Sequence, residues 1–172
     1  GLGGFTVLSC DNLRHNGNIA RKAFLGYAKA RDPELAAWIE KNVTFPNGMV
    51  DRITPTVSWE IAARLNQQSG LDDDLPLVAE DFTQWAVDVN FVAGRPALDK
   101  VGVQFVDDVS DYEHVKIRMP NASHLMLSFP GLLLGYQQID QAVSDPALRG
   151  LLVTFLDTDV IPPLKAPPGV SP

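Results

Sequence analysis

The sequence predicts an α+β fold that is mainly helical. Its 172 residues are 45% hydrophobic and 20% charged, which is the composition of an ordinary globular protein with a core of its own. Helix start signals and apolar residues at helical spacing cover most of the chain, whereas runs of strand-forming residues are few and short. A small sheet accompanied by many helices is therefore expected.

The predicted strands are all short. Residues 5–10 form an apolar run rich in strand formers, and the run ends in the polar pair Asp11 and Asn12. Other extended segments are expected further along the chain, as short pieces at 43–45 and 49–53 and as strands at 82–89 and 101–106. The run at 5–10 has no partner next to it in sequence order, so it needs a sheet from elsewhere.

The helices of the first half are marked by their ends. A helix is expected over about 16–31. Asp32 then reads as an N-cap, because Pro33 follows it at the first helical position, and this second helix runs through Ile39. A third helix is expected near 58–68.

A long helix is predicted for the second half. Ser110 and Glu113 have the spacing of a capping box, in which the serine caps the helix and the glutamate occupies its third position. The helix should run toward Ala142, with interruptions at Pro120 and at 130–131.

Both ends of the chain suggest a central fragment of a longer protein. The chain begins almost directly with a strand that lacks a partner. After a last helix over about 146–158, residues 161–172 contain five prolines and are expected to form an extended connector.

Charge and composition exclude several classes of function. The net charge is −7, and residues 71–172 carry six Lys/Arg against fifteen Asp/Glu, which argues against nucleic acid as a partner. No apolar stretch approaches about 20 residues, so no membrane span is expected. The single cysteine excludes an internal disulfide and fits a reducing compartment, so a cytoplasmic location is expected.

One face of the long helix carries four polar side chains with acid–base chemistry. At about 100° per residue, Glu113, Lys116, Asn121 and His124 fall on one side of the helix, which is a plausible proton-transfer site. Each residue also has a simpler interpretation. Glu113 could only complete the capping box, His124 could be a hydrogen-bonded core histidine, and Lys116 could be solvated. Asn12 could be a turn or cap residue.

Several blocks of sequence carry a family resemblance. They are FTVLSCDNLRHNG at 5–17, FPNGMVDRITP at 45–55, EDFTQW at 80–85, GRP at 94–96, VGVQF at 101–105, and the helix with Lys116, Asn121 and His124. In this order they resemble the polyol-specific long-chain dehydrogenase (mannitol dehydrogenase) family. The blocks at 101–105 and 161–169 are most similar to its mannitol 2-dehydrogenase branch.

The resemblance implies a two-domain enzyme of which this chain is a part. Residues 1–12 would be the last strand of a Rossmann-like domain that binds NAD and is otherwise absent. Residues 13–160 would be most of a mainly helical catalytic and substrate domain, and 161–172 the proline-rich connector. The glycine motif that binds the cofactor phosphates is not found, because Gly1-Leu-Gly-Gly precedes the strand. The fragment alone is expected to be inactive.

The resemblance also implies roles for six residues. Lys116 would be the general acid/base, with Asn12 and Asn121 as an oxyanion-hole-like pair. His124 and Asp51 would bind substrate, and Glu113 would exchange protons with solvent. A lysine has an ordinary pKa near 10.4, so such a base requires desolvation or a nearby cation.

The implied reaction interconverts a polyol, such as mannitol, with its ketose. The cofactor would be NAD, with NADP open because the absent domain decides between them. No metal is expected, since the chain has one cysteine and no His-Glu-x-x-His motif. A monomer is expected for the full-length form. The alternative is a non-catalytic helical module that binds a partner, or an inert excised domain.

Pro120 departs from the family pattern, which usually has an aliphatic residue there. Proline has no N–H for the carbonyl of Lys116, and its ring crowds that carbonyl. The resulting hypothesis is that Pro120 kinks the helix and re-aims the lysine.

Overall fold

The computed structural model describes residues 3–167. Most of its regular structure is helical, and it has one small sheet. In chain order the elements are α1 (Asn16–Arg31), α2 (Pro33–Asn42), β1 (Gly48–Asp51), α3 (Trp59–Ser69), β2 (Gln84–Asp88), a 3-10 turn (Leu98–Val101), β3 (Gln104–Val106), α4 (Ser110–Lys116), a π turn (Ile117–Asn121), α5 (Ala122–Leu133), α6 (Ile139–Ser144), α7 (Pro146–Phe155) and a second π turn (Leu156–Val160). The mainly helical α+β prediction is confirmed.

The sheet has the order β1-β2-β3 and mixes two pairings. β1 runs antiparallel to β2, and β2 runs parallel to β3. Helix α4 packs on this sheet, because Met49 and Ala86 form a buried cluster with Val109 and Tyr112. This packing places the end of α4, and with it Lys116, beside β1.

The first two helices form as predicted. The Asp32 carboxylate accepts hydrogen bonds from the backbone N–H groups of Glu34 at 2.9 Å and Leu35 at 3.1 Å, which caps α2. The pair packs through a cluster that includes Leu25 and Ile39. Local sequence signals determine these two helices, and for that reason they could be predicted.

The predicted strand at 5–10 is wrong for the described part of the chain. It makes one isolated parallel bridge, Thr6 to Thr44, with the Val7 N–H bonded to the Thr44 carbonyl at 3.0 Å. A strand requires a continuous neighbouring strand, and none of the described residues supplies one here. The segment at 43–45 contributes only its side of the same bridge. The strand expected at 101–106 is shorter than predicted, because the turn before it continues to Val101.

The predicted capping box is also wrong. Helix α4 begins at Ser110, but the Ser110 hydroxyl donates to the Asp108 carboxylate at 2.6 Å instead of capping the helix. The Ser110 N–H donates to the same oxygen at 2.9 Å. These two bonds, the hydroxyl's first, lower the pKa of Asp108. The Glu113 side chain is thereby left for another partner.

The long helix is continuous through its prolines but ends early. Pro120 lies inside the π turn, where the Ala122 N–H bonds to the Ile117 carbonyl, and Pro130 lies inside α5. The helix stops at Leu133, and Gly135 adopts a left-handed conformation with φ 89°. The predicted continuation to Ala142 is therefore wrong, because α6 is a separate helix.

The last helices pack against α5 through Leu127, Ala142 and Leu148. α7 and the π turn after it reach Val160, close to the predicted end. Of the predicted connector, residues 168–172 lie outside the described residues. Lys165 forms an ion pair with Asp111 at 3.0 Å. Within 3–167, no helix combines the length and the apolar character needed to cross a bilayer.

Candidate active site

All six predicted site residues line one cavity of about 1050 Å³. The residues come from five parts of the chain. Asn12 follows the 5–10 segment, Asp51 ends β1, Glu113 and Lys116 lie on α4, Asn121 ends the π turn and His124 lies on α5. The structure therefore brings together side chains that are more than a hundred residues apart. Their chemical roles remain predictions.

Asn16 holds the segment that carries Asn12 against the sheet. Its side chain is buried, and its amide N–H groups donate to the carbonyls of Ser9 at 3.2 Å, Asp11 at 3.0 Å and Gly48 at 2.9 Å. Its Oδ1 accepts the Gly48 N–H at 2.8 Å. Sequence reasoning missed this residue, whose partners lie up to 32 residues away.

Gly17 makes the same junction possible. A Cβ atom at this position would lie 2.3 Å from the Pro46 carbonyl oxygen, which no side chain can tolerate. The start of α1 therefore lies directly against the residues before β1. The Asn-Gly pair at 16–17 is the sequence signal that could have indicated this close approach.

Lys116 lies at the centre of a group of oxygen atoms. Its Nζ donates to Asn12 Oδ1 at 3.0 Å and to the Val50 carbonyl at 2.5 Å, and Asp51 Oδ1 lies 3.9 Å away. The side chain is only 14% exposed, although it lines the cavity. An ammonium has three N–H donors, so two fixed bonds leave one for a ligand. The Lys116 alternative, a solvated helix residue, is excluded.

The amide of Asn12 is oriented by this contact. Because its Oδ1 accepts from Lys116, its Nδ2 is a donor that makes no hydrogen bond to any residue in 3–167. An oxygen atom bound near Lys116 could accept from it. The arrangement suits an alcohol or carbonyl oxygen.

Asn121 and His124 line the cavity but make no hydrogen bond to Lys116. Both are exposed, and neither side chain has a hydrogen bond or ion pair with another residue in the described range. The interpretation of His124 as a hydrogen-bonded core histidine is therefore wrong. Both side chains are available to a ligand in the cavity.

Glu113 is buried and bonds to His15. Its Oε1 accepts the His15 backbone N–H at 2.8 Å, and its Oε2 lies 3.7 Å from His15 Nδ1. Only 4% of the residue is exposed. Glu113 therefore does not complete a capping box, and its partner lies 98 residues away in the sequence.

Three further residues that line the cavity were not predicted from the sequence. Arg52, Glu80 and Phe82 also line it. The Glu80 carboxylate accepts the Ile53 N–H at 2.6 Å, and Arg52 Nε donates to the Glu80 carbonyl at 2.9 Å. Both Arg52 and Glu80 belong to sequence blocks that carry the family resemblance, which was the available signal. No cluster of three or more His, Cys, Asp or Glu side chains in residues 3–167 is placed to hold a metal ion.

Two family models match the chain. The mannitol dehydrogenase Rossmann domain model matches residues 1–100, and the mannitol dehydrogenase C-terminal domain model matches residues 108–171. The first match extends past residue 12, the predicted domain boundary, and that boundary stays a prediction.

Similar proteins are polyol and sugar-acid oxidoreductases by name. The chain is 71% identical to the polyol:NADP oxidoreductase of Gluconobacter oxydans over 97% of its own length and 34% of the relative. It is 48% identical to the D-mannonate oxidoreductase of Escherichia coli, over 99% of this chain and 35% of that one. The chain thus spans about a third of the length of the curated relatives it matches.

Two solved structures of polyol dehydrogenases are similar to this chain. A D-sorbitol dehydrogenase in substrate-free form superposes with a TM-score of 0.90 at 69% identity, over 96% of this chain and 34% of that one. The Pseudomonas fluorescens mannitol 2-dehydrogenase, in a ternary complex with NAD and D-mannitol, gives a TM-score of 0.84 at 47% identity over 98% and 34% of the two chains.

Proposed function

This chain belongs to the mannitol dehydrogenase family, and we propose that it carries the acid–base half of an NAD(P)-dependent polyol dehydrogenase. The family resemblance predicted from the sequence blocks is confirmed. The proposed reaction oxidises a mannitol-like polyol to its fructose-like ketose, and its reverse reduces the ketose. The acid–base part needs no metal ion, since a side chain performs it. The 172-residue chain alone is expected to be inactive.

One observation carries this proposal: the Lys116 Nζ is fixed between Asn12 and Val50 at the wall of a cavity. Oxidation of a secondary alcohol requires a base for the hydroxyl proton and donors for the oxygen as negative charge develops on it. In its neutral form Lys116 accepts the hydroxyl proton. The ammonium that results then stabilises the product carbonyl.

Two asparagines supply the other hydrogen bonds of the proposed reaction. Asn12 Oδ1 orients the amine, and Asn12 Nδ2 donates to the substrate oxygen. Asn121, which also lines the cavity, is the second proposed donor. Fixed donors cost little reorganisation during the reaction, which is why such sites accelerate it.

The substrate is proposed to be a polyol because the cavity lining is rich in hydrogen-bonding groups. Asp51 and Glu80 offer carboxylate oxygens, and His124 and Arg52 offer donors. Hydroxyl groups along a polyol chain both donate and accept, so they match such a mixed lining. Asp51 and His124 are the proposed substrate-binding residues.

A nicotinamide cofactor bound beside the polyol would supply the acceptor for the hydride of the carbinol carbon. The residues of this chain fit such a partner, since Lys116 and Asn12 offer donors at the cavity wall and the cavity of about 1050 Å³ is large enough for a second ligand beside a polyol. NAD is the proposed cofactor by likeness to the Pseudomonas complex, and NADP by likeness to the Gluconobacter relative. A cytoplasmic location and a monomeric full-length form remain predictions.

A chimera tests the proposal. This segment would replace the matching segment of the Gluconobacter oxydans polyol:NADP oxidoreductase, with which it shares 71% identity. We expect NADP- or NAD-dependent oxidation of mannitol or sorbitol, measured as absorbance of the reduced cofactor. A folded chimera without polyol oxidation would contradict the proposal. The isolated chain serves as the inactive control.

A further inference from the structure

The buried carboxylate of Glu113 has one oxygen without a partner. Oε1 is bonded to the His15 N–H at 2.8 Å, whereas Oε2 is buried and has no hydrogen bond to any described residue. A buried carboxylate oxygen without a donor is costly, so such an atom requires a physical reason. The ring nitrogen His15 Nδ1 lies 3.7 Å from this oxygen.

His15 is held in an unusual backbone conformation. It has φ 50° and ψ 48° and is the one non-glycine residue with positive φ within residues 3–167. Histidine is among the few residue types that adopt this conformation with some frequency, and backbone outliers often occur at functional sites. Here the conformation directs both the N–H and the ring of His15 toward Glu113.

The ring of His15 lies next to the buried Glu113 side chain and is itself partly exposed to solvent. The side chain of His15 is 40% exposed, whereas that of Glu113 is 5% exposed. The pKa of nearby Asp108 is lowered chiefly by its two Ser110 hydrogen bonds and to a smaller extent by His15, and the adjacent Arg14 is bonded to His114 at 2.8 Å.

We propose that His15 is the solvent-side end of a proton path from Lys116 through Glu113. This inference rests on the proposed function. Lys116 and Glu113 are three residues apart on α4 and both line the cavity, and the proposed path includes one water molecule between them. His15 then links Glu113 to bulk water. An imidazole suits this position because its two nitrogens can accept a proton on one side and release it on the other.

The proton count of the path balances. Each polyol oxidation transfers one hydroxyl proton to the neutral Lys116 amine, and the cofactor of the proposed function would take up the hydride. The ammonium passes one proton through the bridging water to the Glu113 carboxylate. Glu113 passes one proton to His15 Nδ1, and the ring releases one from Nε2 to water. Lys116 and Glu113 end in their starting protonation states, and His15 ends neutral with its proton on Nδ1, so exchange with solvent or a turn of the ring restores the starting tautomer before the next cycle.

The test replaces His15 in the active chimera. An asparagine at this position would keep the backbone N–H that bonds to Glu113 and tolerates positive φ, so His15→Asn removes the ring and preserves the fold. At low buffer concentration we expect kcat to fall by roughly tenfold or more, with KM for the polyol nearly unchanged. Added imidazole should restore much of the loss, which a merely structural defect would not show. His114→Asn is the matched control, and its kcat should not change.

The outcomes separate the two proposals. If the unsubstituted chimera oxidises polyols and His15→Asn retains full kcat at low buffer, the proton path is wrong and the proposed function stands. A loss that imidazole does not restore also contradicts the path. If the unsubstituted chimera does not oxidise polyols, the proposed function fails and the path fails with it.

A second measurement needs no activity. In the full 172-residue chain, Glu113→Gln keeps the oxygen that accepts the His15 N–H and removes the carboxylate charge. We expect the NMR resonances of the His15 ring to change and those of His114 to stay. Unchanged His15 resonances would overturn the contact on which the path depends.

Discussion

The Lys116 Nζ donates a hydrogen bond of 3.0 Å to Asn12 Oδ1, across 104 residues of sequence. Two separate parts of the chain therefore build one polar contact at the cavity wall. The same Nζ is bonded to the Val50 carbonyl, so the lysine is fixed on two sides before any ligand is bound. Fixed geometry of this kind is what acid–base catalysis requires.

Asn12 is expected to act through both ends of its amide. Asn12→Ala removes the acceptor that orients Lys116 and the donor proposed for the substrate oxygen. We expect kcat of the chimera to fall by about 10²–10³-fold, as for the loss of one oxyanion-hole donor. Asn90→Ala is the control, because Asn90 is exposed and does not line the cavity. Equal rates for the two variants would contradict the role of Asn12.

Asn16 is expected to matter for stability. Asn16→Ala leaves the Gly48 N–H and three carbonyls without their present partner. We expect the free energy of unfolding to fall by about 3 kcal/mol, measured by urea denaturation. Asn18→Ala, near the start of α1 at an exposed position, should change it by less than about 0.5 kcal/mol. The role of Asn16 is wrong if both substitutions have similar effects.

Low pH should reduce the stability of the junction between α6 and α7. Asp145 accepts from the Tyr136 hydroxyl at 2.9 Å and from the N–H groups of Ala147 and Leu148, and these bonds lower its pKa, the tyrosine's most. A depressed pKa contributes stability that is present above the unfolded-state pKa and lost as pH falls through the folded-state value.

Tyr136→Phe isolates this effect. The substitution removes the largest cause of the shift, so the pKa of Asp145 should rise toward its ordinary value. We expect the stability difference from the unsubstituted protein to shrink as pH falls below about 4. Urea unfolding at several pH values measures it, with Tyr27→Phe as control because Tyr27 is 70% exposed. A pH-independent difference would contradict this assignment.

Pro120 is expected to set the positions of Asn121 and His124 relative to Lys116. Pro120→Leu supplies an N–H for the Lys116 carbonyl, which favours an α turn where the π turn now stands. Loss of the π turn would rotate the following residues about the helix axis, so we expect lower kcat without loss of stability. Pro130→Leu makes the same change away from the cavity and is the control. Unchanged turnover and pH profile for Pro120→Leu would contradict the hypothesis.

The sequence predicts what is encoded locally. Asp32 and Pro33 mark the start of α2 by their own chemistry, so the boundary there is right. The capping box predicted from the spacing of Ser110 and Glu113 is wrong, because the hydrogen-bond partner of Glu113 is His15, which is 98 residues away. The end of α5 was missed because the left-handed turn at Gly135, rather than a proline, ends the helix.

The side chains of the candidate site could be predicted from the sequence, but the contacts they make with backbone groups could not. Co-occurrence of the six residues at family spacing identified them, and all six line the cavity. The Val50 carbonyl that fixes Lys116 has no side-chain signature, and Asn16 acts through backbone groups of three other segments. Such contacts depend on the tertiary fold and cannot be derived from spacing.

The role of Lys116 is tested most directly by kcat of the chimera carrying Lys116→Ala, with and without an added primary amine. We expect a loss of about 10²–10⁴-fold that the free amine partly restores, because it can take up the hydroxyl proton in place of the missing side chain. Lys165→Ala is the control, since Lys165 is 83% exposed and pairs with Asp111. A Lys116→Ala chimera that retains full kcat would show that another group accepts the proton.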